Sequence, residues 1–179
     1  RITFVFAMIC LGLNQGMQPI AGYNYGARQY SRVKEVFWKT AKMATLVTTL
    51  CFLISLFLPK LAVSIFTHDP ELLEKASRGL TILNIAFPIV GFQMIATNLF
   101  QSLGMVRKSV FLSLSRQILF LLPLLYGLPI IWGAEGVWAS FPISDVLAFI
   151  LTAILLRGLF KKFNLLKDGD NPEILGSNL

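Results

Sequence analysis

Charge is what this chain has least of. Lysine, arginine, aspartate and glutamate make up 14% of its 179 residues, where soluble domains carry about 25%. A folded surface in water needs that charge to stay wetted. Hydrophobic residues reach 55% and the mean hydropathy is +0.69, so the composition excludes an ordinary soluble domain and makes lipid the natural solvent. Cysteine is nearly missing too. Cys10 and Cys51 lie inside apolar runs, at a spacing that fits neither a metal centre nor a disulfide framework. One histidine, His68, stands beside Asp69 in a polar connection and reads as a surface residue without a role. No nucleophile–base arrangement, metal cluster or phosphate loop is legible, so no catalysis, metal or cofactor is expected.

Nor does the opening read as a secretory signal. Arg1-Ile2-Thr3-Phe4-Val5 enters an apolar stretch with neither an initiator Met nor a small-residue cleavage site after it, and the start reads as the interior of a longer protein. The net charge of +7 comes from basic residues clustered between apolar runs. That pattern fits anionic lipid headgroups rather than nucleic acid.

What is there is a series of apolar runs long enough to cross a bilayer, about 20 residues each. The runs predict an all-α, polytopic bundle within residues 1–158, with five spans at about 2–23, 41–58, 79–102, 109–132 and 137–156. A tail, 159–179, follows. Asp69, Pro70 and Glu71 form a helix start ahead of the third span. Topology follows from counting cations. Arg28, Arg32, Lys34, Lys39, Lys42, Arg107, Lys108, Arg157, Lys161, Lys162 and Lys167 lie on one side, against Lys60, Lys75 and Arg78 on the other. The positive-inside rule therefore places the 28–42 loop, the 103–108 turn and the C-terminus in the cytoplasm.

These spans are not uniform, as plain anchors would be. The third carries Gln93, Thr97 and Gln101 on one helical stripe, with Asn84 and Asn98 elsewhere on it. Pro88, Pro123, Pro129 and Pro142 interrupt helix interiors or ends, and broken helices at membrane depth are typical of secondary transporters. Taken one at a time, such amides also glue helices together; taken together with the prolines they favour a solute pathway. Two charges stand inside spans, Arg116 in the fourth and Asp145 in the fifth. Their depths agree to within roughly one helical turn, and the short 133–136 connection makes the two helices antiparallel neighbours. An ion pair would neutralise both, and Asp145 is equally readable as a proton or cation site. At the end of the first span Gly16, Gln18, Pro19 and Gly26 read as an inner gate, with Pro19 bending the helix and Gly26 supplying a positive-φ turn. Gly12 and Gly16 form a GxxxG, which by itself reads as close packing at least as often as function.

The run Gly12-Leu13-Asn14-Gln15-Gly16-Met17-Gln18-Pro19-Ile20-Ala21-Gly22-Tyr23-Asn24-Tyr25-Gly26-Ala27 resembles the signature of the multidrug and toxic compound extrusion (MATE) family. Ser115-Arg116-Gln117, Pro123-Leu124, Gly136-Val137-Trp138 and Phe141-Pro142-Ile143-Ser144-Asp145 are similar to a bacterial branch of it. The resemblance implies an antiporter of two six-helix bundles in the cell (inner) membrane. This chain would supply helices eight to twelve, and its partner would be the missing N-terminal lobe. It implies export of organic cations or xenobiotics in exchange for H+ or Na+. It adds Gln15, Gln18 and Gln117 to the pathway, and Tyr23, Asn24 and Pro142 to the gate and hinge. One departure stands out: the third span has no acid between Gly79 and Ser102, which argues against a sodium site on the family's tenth helix. The other readings are a lipid-linked oligosaccharide flippase of the same superfamily and a non-transporting scaffold or truncated product.

Overall fold

The structure is a computed structural model that describes residues 2–67 and 69–171. Arg1, His68 and residues 172–179 lie outside it. Its elements are α1 (Ile2–Gly26), α2 (Tyr30–Phe57), α3 (Pro59–Ser64), α4 (Pro70–Leu83), α5 (Phe87–Ser102), α6 (Val106–Leu114), a π-helical segment (Ser115–Leu121), α7 (Leu122–Trp132) and α8 (Ala134–Leu165). Among the described residues, four continuous helical stretches are long and apolar enough to span a membrane, and α4 with α5, bent by 51°, makes up to five. The expected all-α bundle is the fold observed.

Its departures from expectation have local causes. The basic segment 28–42 was expected as a connection, yet α2 begins at Tyr30. Val33, Phe37 and Ala41 are buried while Arg32, Lys39 and Lys42 are exposed, so the segment is an amphipathic helix whose charges ride on the outer face. Gly26 is the last residue of α1 rather than a positive-φ turn, and Arg28 takes the left-handed conformation at φ 58°. The third span breaks at Asn84–Ala86, where Pro88 in the first turn of α5 has no N–H to continue α4's ladder.

Pro123 does not interrupt its helix. The preceding turn widens instead, and the Leu122 N–H reaches back to the Gln117 carbonyl, five residues earlier. That π-turn absorbs the donor Pro123 lacks and relieves its ring. Between α7 and α8 a single residue, Gly133 at φ 58°, replaces the expected four-residue hinge.

α8 outruns the expected span by more than two turns, because Leu159 and Phe163 remain on its buried face. Phe163 stacks 5.2 Å from Tyr30 and 6.0 Å from Tyr25, and Phe160 lies 5.3 Å from Phe37. The tail then folds back on the α1–α2 turn. The Gly169 N–H donates to the Arg28 carbonyl at 2.9 Å, and the Tyr30 hydroxyl to the Asp170 carbonyl at 3.0 Å. Asp168 accepts from both the amide and the hydroxyl of Ser31, which holds its carboxyl below the usual carboxylate range. As far as Asn171, then, the segment set apart as a tail is docked on the bundle.

The buried core gathers Met17, Ala21, Phe37, Ile95, Leu99 and Leu156 where α1, α2, α5 and α8 meet. Close approach of α2 and α5 depends on Gly91. A Cβ there would lie 2.6 Å from Thr48 Oγ1 and 2.7 Å from the Ala44 carbonyl oxygen. By contrast a Cβ on Gly12 or Gly16 meets nothing within 4 Å, so the GxxxG holds no other helix among the described residues. Gly91→Ala should therefore lower stability by about 1–3 kcal/mol through overpacking. Gly16→Ala should leave it unchanged or raise it, by up to about 1 kcal/mol, through helix propensity. Thermal unfolding in detergent measures both, and equal effects would contradict the packing assignment.

Candidate solute cleft

Most buried polar groups in the bundle are used up locally. Thr48, Ser55, Ser140 and Thr152 each donate to the carbonyl one turn back. Asn84, fully buried, donates to Ser55 Oγ at 2.9 Å and to Thr3 Oγ1 at 3.2 Å. It ties α1, α2 and the end of α4 together, away from the pathway on which its place in the third span had put it. Asn24 closes onto its own helix through the Ile20 carbonyl at 2.8 Å. Gln15, Gly16, Pro19 and Tyr23 lie on the exposed side of α1, Gln101 is exposed near the end of α5, and Pro142 is buried within α8. Gln18 spans from α1 to α5, its Nε2 donating to Asn98 Oδ1 at 3.2 Å.

A second group of polar residues shares one cavity. Gln93, Thr97 and Asn98 of α5 face Ser113, Arg116 and Gln117 of the α6–π stretch across a cleft of about 180 Å³, with Val90, Met94 and Leu112 as its apolar walls. Spacing of four residues puts Gln93 with Thr97, and Ser113 with Gln117, on common faces. Four expected pathway residues, Gln93, Thr97, Asn98 and Gln117, thus converge here. Ser113 was missed, although its spacing from Gln117 was the available signal.

Behind the cleft, Arg116 Nε donates to Asp145 Oδ1 at 2.7 Å. The pairing read from matching depths is therefore present. It is lopsided: the Arg116 side chain is 39% exposed and that of Asp145 8%. The Asp145 carboxylate is buried within the bundle, while the Arg116 side chain forms part of the cleft wall. Asp145 itself does not line the cavity, whereas Arg116, its partner, does. Among the described residues, the buried side-chain atoms without a partner are Gln93 Oε1 and both amide atoms of Asn14. Asn14 sits on the buried face of α1 with Cys10 and Met17; an amide amid that apolar periodicity was the signal that went unread.

Comparison with known proteins places these features. The family model described as MatE matches residues 1–126. The multidrug transporter DinF-BH, solved as a complex, superposes with a TM-score of 0.83 at 42% identity, covering 93% of this chain and 37% of that one. A MATE structure in the straight conformation reaches a TM-score of 0.84 at 19% identity over 93% of this chain and 38% of that one, a likeness of fold. A curated FAD transporter of Shewanella oneidensis is 26% identical over 124 residues, 69% of this chain and 27% of its own length. The chain thus spans well under half the length of these relatives.

The pair yields a thermodynamic prediction. Arg116→Gln strands a sealed carboxylate, whereas Asp145→Asn leaves a guanidinium that already reaches the cleft. Breaking a buried pair costs about 3–5 kcal/mol, and Arg116→Gln should sit at that end while Asp145→Asn costs less. The double variant should be more stable than the sum of the two losses, with a coupling of about 0.5–3 kcal/mol. Strictly additive losses in a double-mutant cycle would mean that the side chains do not interact.

Proposed function

The chain belongs to the MatE family of membrane transporters, and from that premise we propose that it forms most of one bundle of a secondary active multidrug efflux antiporter. In this reading the second bundle of the same transporter packs against it, and solute passes between the two. The exchange is driven by H+ or Na+, and organic cations or xenobiotics are exported. The role is transport rather than catalysis. The exposed apolar residues along α1 and α7 suit lipid and a neighbouring bundle. The charge distribution supports an inner-membrane protein with the C-terminus and the α1–α2 turn in the cytoplasm. There the docked tail would brace the inner end of the bundle.

The observation that carries the proposal is the cleft. Polar groups in hydrocarbon are costly and normally pair off; six polar side chains gathered round one cavity, one with an unpartnered buried carbonyl, are what a polar solute or water would satisfy. Thr3, Ser55 and Asn84 show the alternative, a polar set wholly spent on helix contacts.

Transport should require both bundles and the cleft. In an efflux-deficient host, residues 1–179 alone should leave drug sensitivity unchanged, and a full-length transporter carrying the same residues should confer resistance. Gln93→Leu with Thr97→Leu in that longer protein should cut efflux at least tenfold, about 1.4 kcal/mol of lost solute stabilisation, while expression holds. Resistance from residues 1–179 alone would overturn the two-bundle reading. Undiminished efflux in the double leucine variant would remove the cleft from the pathway.

A further inference from the structure

We propose that this cleft binds an anionic group, a carboxylate or a phosphate, on the part of Arg116 that Asp145 leaves free. The inference rests on the reading of the cleft as a solute site and names the chemistry that the site selects.

The geometry points there in three steps. A guanidinium has five N–H donors in a planar fork. Asp145 takes one of them, through Nε, and the terminal nitrogens have no partner among the described residues. Second, the charges are unequally placed, the Asp145 side chain being 8% exposed and that of Arg116 39%. Arg116 is the one charged residue in the cleft lining, which contains no acid. A solute entering the cavity therefore meets positive charge in a medium that screens it poorly. A carboxylate or phosphate carried by that solute matches the fork and its charge.

Third, Gln93 lines the same cavity, and its Oε1 is a buried acceptor with no donor among the described residues. It calls for an N–H or O–H beside the anion. Solutes that satisfy both ends carry an anionic group next to an amine, amide or hydroxyl. At about 180 Å³ the cavity has room for that charged group rather than for a whole amphipathic molecule, whose body would lie outside the cleft. The neutral amide of Gln117 and the hydroxyls of Thr97 and Ser113 supply further donors without adding charge.

A matched pair of dyes tests this. Rhodamine B carries a free carboxylate, and its ethyl ester has the same xanthene body without one. Binding to the purified chain in phosphatidylcholine nanodiscs is read by fluorescence anisotropy. Rhodamine B should bind about tenfold or more tightly than the ester, the range of a charge-assisted hydrogen bond. Asp145→Asn, which releases the Arg116 Nε, should keep or widen the preference. The double variant Arg116→Gln/Asp145→Asn strands no charge, and in it acid and ester should bind alike. Adding phosphatidylglycerol to the discs separates the sources: loss of rhodamine B binding assigns the anion site to a lipid headgroup, and unchanged binding assigns it to a solute. Equal binding of acid and ester to the native chain would overturn the proposal while leaving the solute cleft standing, as would a preference that survives the double variant. Failure of both dyes to bind would remove the proposal and the solute cleft together.

Discussion

Inside a bilayer there is no water to complete a hydrogen bond, so each polar atom in this bundle must find a partner within it or define a place that water and solute reach. That constraint sorts the chain. Hydroxyls on α2 and α8 turn back onto their own carbonyls, Asn84 is saturated by Thr3 and Ser55, and Gln18 reaches Asn98. Apart from the Asn14 amide on α1, what remains unspent among the described residues collects between α5 and the α6–π stretch, around Gln93 and Arg116. The cleft is thus the place where the bundle's polar accounting is left open.

The ion pair and the π-segment show how local chemistry shapes that place. Pro123 removes a backbone donor, the helix widens before it, and Arg116 and Gln117 sit in the widened stretch. π-turns of this kind are frequent at functional sites. Asp145 then holds Arg116 from behind through one N–H, fixing a charge that would otherwise be expensive at membrane depth. The result is a positioned cation with donors to spare. Close packing supplies the frame: Gly91 lets α5 lie against α2, and a Cβ on Gly136 would collide with the Leu128 carbonyl of α7.

Much of this was legible in the sequence, for physical reasons. Long apolar runs announce spans because burying each backbone group in lipid demands a helix. Asp69 was readable as a cap, and its carboxylate does accept from the amides of Glu71 and Leu72. The Arg116–Asp145 contact followed from depth and a short connection. What escaped was decided by tertiary contact. The basic segment before Ala41 is helical because Val33 and Phe37 have a core to enter, which charge counting does not reveal. The tail is docked because Tyr30 and Ser31 offer it donors from far away in sequence. Asn84 and Gln93 are both amides of the same expected span, and only three-dimensional neighbours separate the saturated one from the unpartnered one.

The central claim is that water and polar solutes reach the face shared by Thr97 and Ser113, whereas α7 and the neighbouring part of the π-segment face lipid. Native Cys10 and Cys51 are buried, so introduced cysteines report cleanly. Thr97→Cys and Ser113→Cys should react with a small, charged methanethiosulfonate reagent, while Leu119→Cys, though 59% exposed, should stay inert because lipid covers it. Reaction at the two cleft positions with none at 119 is the result the account predicts. Cleft cysteines as inert as the one at 119 would contradict it.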